Sequence, residues 1–162
     1  MIHNCLQFTI AYFNKDMARI HHAMKVYTYA CAIARAENLS EYNYNTIAYT
    51  ALLHDIGIVE AEKKYNSCSG KYQEIEGPAV ARSFLETTNC SPQHIDRICY
   101  IIGHHHTYSA IDDIDFQILV EADFLVNIFE ENIALPAIEH ISKTYFKTEF
   151  GKQLLTQLYL NI

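Results

Sequence analysis

His54 and Asp55 stand side by side in TALLHDIGIVEA (residues 50–61), at the end of an apolar run that reads as the close of a buried helix. Imidazole beside carboxylate is metal-ligand chemistry. Two more polar side chains occupy places where apolar ones belong. In DFQILVEADFLVNIFEEN (115–132) the inward stripe is Phe116, Leu119, Val120, Asp123, Val126 and Phe129 or Glu130, so Asp123 sits in the middle of a packing face. His22 shares a stripe with Ala18, Val26, Tyr29 and Ile33. A buried carboxylate has to be paired, hydrogen-bonded, protonated or bound to a metal. Taken singly, each residue has an ordinary reading: a core histidine with a partner, or an aspartate that caps a helix or meets an arginine. Taken together, three helices supplying His22, His54, Asp55 and Asp123 point to one divalent cation. That nitrogen and oxygen set suits Mn, Fe, Ni, Zn or, less naturally, Mg.

The elements that must carry these residues are helical. DMARIHHAMKVYTYACAIARAEN (16–38) has apolar positions at helical spacing, with Asp16 as N-cap. YNTIAYTALLHDIG is a second helix, with Gly57 read as a C′ residue at positive φ. Residues 58–77, IVEAEKKYNSCSGKYQEIEG, show no clean period and read as a long loop, a length usually reserved for function or disorder. Pro78 then opens a third helix in its first turn, and Ser91 with Pro92 starts a fourth. Residues 115–132 make a fifth, the tail from Leu135 two more, and a short helix precedes Asp16. The expectation is an all-α, compact bundle of roughly six to eight helices. It spans residues 1–162 as one domain, with a motif-bearing core at about 16–132 and a helical extension over 133–162.

Composition narrows the partners. The chain has 162 residues and a formal charge of −7, which argues against a nucleic-acid backbone or an anionic membrane. A small anion remains compatible if a local cation offsets the repulsion. Five scattered cysteines without a CxxC fit a reducing compartment, and no leader or spanning run is evident, so a cytoplasmic chain is expected.

RIHHAMKV, ALLHDIG and EADFLVNI resemble the helical HD superfamily, whose members are mostly metal-dependent phosphohydrolases. The resemblance runs from about Ala18 to Asn132. It implies that His22, His54, Asp55 and Asp123 ligate one divalent metal, with His22 rather than His21 in place because Val26 follows it by four. IIGHHHTY is similar to the extra histidines of members with two metals, which implies His104 and His105 as ligands of a second ion and leaves His106 as a bystander. A plain helix cap, with imidazolium at the C-terminal dipole, is the competing reading of that triplet. Two features depart from the two-metal relatives. Gln73 stands where they place another histidine, leaving Glu74 or Glu76 as carboxylate substitutes. Ile58 follows HDIG where the cyclic-dinucleotide phosphodiesterases have lysine, and their GYP is missing.

The resemblance therefore implies hydrolysis of a small phosphoester, a nucleotide or related phosphate, by metal-activated water. Asp55 would orient the water or bridge two ions, and Glu74 and Glu76 are candidates for proton transfer. Lys63, Lys64, Lys71 and Arg82 flank the presumed loop and are candidates to bind substrate phosphate, against the reading of a solvated face. Two alternatives from other classes are a di-iron oxygenase on the same fold and a non-catalytic nucleotide-sensing module. The C-terminal stripes, Ile138, Ile141, Tyr145 and Phe146 and then Leu154, Leu155 and Leu158, pack on the core or form a homodimer interface.

Overall fold

Short polar side chains begin the helices. Asp16 accepts from the Arg19 amide, Ser40 from Asn43 and Ser91 from His94, with Pro92 at N1. The computed structural model describes residues 1–160, in which no strand occurs. In chain order the elements are α1 (Ile2–Phe13), α2 (Met17–Ala36), α3 (Glu41–Leu53), a 3-10 turn (His54–Gly57), α4 (Ile58–Tyr65) and α5 (Gly70–Leu85). There follow α6 (Pro92–Ile102), α7 (Ile114–Glu130), α8 (Leu135–Tyr145), α9 (Glu149–Leu155) and a wider terminal turn (Thr156–Leu160). The architecture is all-α.

α3 is the central rod. Ile47 and Ala51 on one side join Val26, Ala30, Ile33, Phe116, Leu119 and Leu125. Ala48, Leu52 and Leu53 on the other join Ile56, Ala81, Leu85, Ile98 and Ile102. A helix buried all round must be apolar all round, which explains its weak amphipathic pattern. Its C-terminus is thereby held deep inside, with the HD pair at its end. The C-terminal helices close over α7 through Ile138, Ile141, Phe146 and Leu155, so within the described residues the extension packs on the core.

Three expectations are corrected. The stretch 58–77 is not a loop: α4 and the first half of α5 occupy it, with only residues 66–69 between them. Pro78 lies inside α5 rather than at its start. The Glu74 carbonyl, which Pro78 cannot serve with an N–H, faces the end of α6 near Gly103. Gly57 has φ −70°, an ordinary right-handed value. Asn14, Asn38, Asn66 and Asn132, at φ 44°, 55°, 51° and 53°, take the left-handed conformation at helix ends instead. What Gly57 supplies is proximity. A Cβ there would collide with the Gln73 carbonyl and come within 2.7 Å of the Gly77 nitrogen, so α5 rides directly on the HDIG turn.

Candidate metal centre

Two helices and the 3-10 turn bring the four ligand candidates together. His22 comes from the inward stripe of α2, His54 and Asp55 from the turn, and Asp123 from the middle of α7. His22 Nε2 lies 3.3 Å from His54 Nε2 and 3.2 Å from Asp123 Oδ1. Asp55 Oδ2 lies 3.5 Å from both imidazole nitrogens. Its other oxygen points elsewhere, 3.5 Å from His105 Nε2. Asp55 thus joins two groups, His22–His54–Asp123 and Asp55–His105–His106, each with donor atoms within 4.8 Å of one another.

The hydrogen bonds on the far side of each ring decide what the near side offers. His54 Nδ1 donates to the Ala51 carbonyl at 2.9 Å and His105 Nδ1 to the Ile102 carbonyl at 2.8 Å. His22 Nδ1 donates to Glu130 Oε2 at 2.8 Å. With Nδ1 carrying the proton, a neutral ring presents a bare Nε2 lone pair. All three lone pairs face inward, toward carboxylate oxygens that also lack protons. His105 Nε2 and Asp123 Oδ1 are fully buried and have no hydrogen-bond partner among the described residues. Buried acceptors facing only acceptors need a cation between them.

The electrostatics agree. Burial opposes charging His22, yet Asp123, Asp55 and Glu130 outweigh it and push the imidazole up to about 9. His54 is raised by the same carboxylates against complete burial. Burial works against the charged carboxylates as well, but His54 and His105 hold Asp55, and His22 and His54 hold Asp123, well below the usual range. A metal ion satisfies the same demand as these protons and would displace them on binding. His106 behaves differently: burial and the neighbouring His105 push it down to about 4, so it stays neutral. The donor set fits a divalent transition ion.

Not every candidate joins the centre. Of the triplet, His105 and His106 turn inward, whereas His104 folds back, its Nδ1 donating to the Tyr100 carbonyl at 2.7 Å. The group that could hold a second ion thus contains His106, expected as a bystander, and not His104. Glu74 holds the turn beneath them, accepting from the His106 amide at 3.0 Å and the Thr107 hydroxyl at 2.9 Å. Glu76 is taken by Lys64 and Tyr65 in a groove against α1 whose lining includes none of His22, His54, Asp55, Asp123, His105 and His106. Lys63 pairs with Glu60 and Arg82 with Asp96, so neither is free for a phosphate at the centre. Lys71 stands over the Tyr72 ring, its ammonium 5.9 Å from the centroid.

Two participants were given no role from the sequence. Gln73 donates to the Cys68 carbonyl and aims Oε1 at His106 Nε2, 3.4 Å away, so the place of the missing histidine still faces this group. Glu130 fixes the His22 ring and is itself held by Lys25 Nζ at 2.7 Å. The spacing of Glu130 on the Asp123 stripe was the available signal.

The chain belongs to the HD domain family, whose model matches residues 19–139. That membership places it in a superfamily of metal-dependent hydrolases. The fold is also that of a predicted HD superfamily hydrolase from an uncultured Thermotogales bacterium, known from a crystal structure at 1.45 Å resolution. The match has a TM-score of 0.71 at 23% identity and covers 96% of this chain and 83% of that one. No curated protein matches the chain.

Proposed function

We propose that this protein is a phosphohydrolase that cleaves a small phosphoester, a nucleotide or a related phosphate. The observation that carries the reading is the convergence of the His22, His54 and His105 Nε2 atoms on the Asp55 and Asp123 carboxylates, with His105 Nε2 and Asp123 Oδ1 buried and without a hydrogen-bond partner among the described residues. His22, His54, Asp55 and Asp123 would hold one divalent ion, Mn, Fe, Ni, Zn or Mg, and Asp55, His105 and His106 a second. An ion bound there supplies Lewis-acid polarisation of the phosphoryl group and acidifies water. Asp55, held well below the usual carboxylate range, stays ionised and orients the attacking water rather than keeping its proton. Glu130 keeps His22 in the Nδ1–H tautomer. Lys71, exposed near the α4–α5 turn, is the remaining candidate among the four cations for meeting a phosphate. The five free thiols suit work in a reducing cytoplasm.

The test is metal analysis of purified protein with a phosphate-release screen across nucleotides and sugar phosphates, repeated with His54→Ala and Asp55→Ala. Both variants should lose bound metal and activity together. Phosphate release that survives in both removes the site, and substrate consumption that needs dioxygen and frees no phosphate replaces the reading with an oxygenase.

A further inference from the structure

Gln73 is buried, and the first turns of α5 are built to carry its side chain to the Asp55–His105–His106 group. The backbone fixes which way the carboxamide points. Its Nε2 donates to the Cys68 carbonyl at 2.7 Å, so Oε1 is the end that faces His106. Three further contacts tie α5 to the same place. Glu74 accepts from the His106 amide at 3.0 Å, and Gly70 leaves room for the His106 ring where a Cβ would collide with it. Gly57 lets the Gln73 carbonyl close onto the turn that bears Asp55.

The spacing of these atoms is that of ligands around an ion. Gln73 Oε1 lies 3.4 Å from His106 Nε2, long for an N–H···O bond, which favours about 2.7–3.2 Å. It matches the 3.2 Å of His22–Asp123, the 3.3 Å of His22–His54 and the 3.5 Å of His105–Asp55. Atoms about 2.0–2.2 Å from a four-coordinate ion stand about 3.3–3.6 Å apart. His105 Nε2, buried and without a hydrogen-bond partner among the described residues, also calls for a cation there. The two donor sets then differ. Two carboxylates and two imidazoles face the first ion. The second meets two imidazoles, a carboxylate shared with the first, and a neutral amide oxygen, a donor better suited to harder ions.

We propose that Gln73 Oε1 is the fourth protein ligand of the second ion, and that this weak, uncharged donor makes the centre unequal: the first ion is retained and the second exchanges with the surroundings. The free concentration of divalent metal then sets the fraction of chains that carry both ions. The inference rests on the metal-binding part of the proposed function and is independent of the substrate.

The experiment is calorimetric titration of the full, chelator-stripped chain with Mn(II) alone, paired with electron paramagnetic resonance, in which two ions sharing the Asp55 carboxylate couple and a single ion does not. The parent should bind two equivalents, the second more weakly than the first. Gln73→Ala should weaken the second by about tenfold or more and leave the first unchanged. Gln73→Glu, of the same shape with a charged oxygen, should tighten the second and bring in the coupled signal at lower metal. A parent that binds one equivalent, or two of equal affinity, overturns the proposal. So does a second equivalent that neither variant alters, or a Gln73→Ala chain in which both equivalents weaken alike, since Gln73 then only positions α5. The two readings fail separately. A chain that binds two ions unequally through Gln73 but frees no phosphate loses the hydrolase and keeps the unequal centre, and phosphate release from a chain whose second equivalent ignores Gln73 does the reverse.

Discussion

Replacing Gly57 by alanine pits two physical effects of opposite sign against each other. At φ −70° and ψ −17° the backbone needs no glycine. If conformation were all that mattered, Gly57→Ala would stabilise the fold by about 0.4–1 kcal/mol, because the unfolded chain loses freedom. Contact says the reverse. The new Cβ would overlap the Gln73 carbonyl and sit 2.7 Å from the Gly77 nitrogen and 3.0 Å from its Cα. All three are backbone atoms of α5 and cannot swing aside, so the helix itself must shift. Overpacking of that kind costs about 1–3 kcal/mol, leaving a net loss of roughly 1–2 kcal/mol. In a chain of this size that is a drop of about 2–8 °C in Tm. Gly77→Ala is the internal control. Its Cβ would meet one buried methyl, the Ile102 Cγ2, at 2.7 Å and no backbone atom closer than 3.6 Å, so the loss should be smaller. Melting in the presence of a chelator isolates the packing effect. Metal retention, measured separately, should also weaken in Gly57→Ala, because moving α5 parts Gln73 and His106 from the turn that carries Asp55. A Gly57→Ala protein as stable as the parent, or more so, refutes the close-approach argument.

Three further outcomes are expected. Glu130→Ala should raise the dissociation constant for a divalent metal by about 10–100-fold, measured by chelator competition, with Glu130→Gln intermediate because its amide oxygen can still receive the His22 Nδ1–H. An unchanged constant in a folded Glu130→Ala protein would show that the His22 ring is held without it. The buried Glu121 carboxylate accepts from the Lys147 and Thr148 amides at 2.6 and 3.0 Å and from Gln117 Nε2, which also donates to the Tyr145 carbonyl. Glu121→Ala should unfasten residues 145–148, lowering stability by roughly 2–4 kcal/mol and exposing the C-terminal segment to limited proteolysis before the core opens. Burial holds the His94 imidazole, bonded to the Thr46 hydroxyl at 2.8 Å, below its ordinary pKa. Its contribution to stability is therefore full above the unfolded pKa near 6.5 and is lost as pH falls through the lower folded value. Denaturant melts should show wild type losing more stability than His94→Gln between about pH 7 and 5, and parallel curves would contradict it.

Much of this architecture follows from local pattern. Asp16, Ser40 and Ser91 cap helices because a short side-chain acceptor before an apolar period satisfies a first-turn amide, a relation of neighbours in the chain. Asp123 could be singled out for the same kind of reason: a carboxylate on an otherwise apolar stripe is wrong for packing wherever the helix lies. The stretch 58–77 defeated such reading. α4 is eight residues long, and α5 runs through Pro78, which locally reads as a helix start. The fit of Gly57 against Gln73 and Gly77, and of Ala81 and Leu85 into the core, holds α5 where it is. The histidine triplet failed for a related reason, since beyond Ile102 the chain leaves helical period and spacing no longer predicts direction. His104 is claimed by Tyr100, whereas the ring of His106 lies against Gly70, where a Cβ would collide with it. So the identities of the ligand-capable residues, and the helices bearing most of them, are set by the order of amino acids, because burial of polar groups is a local contradiction in the pattern. Which oxygen of Asp55 faces which imidazole, which of three histidines turns inward and which cations are already paired are decided only when helices distant in sequence meet, because those depend on contacts that no window of the chain contains.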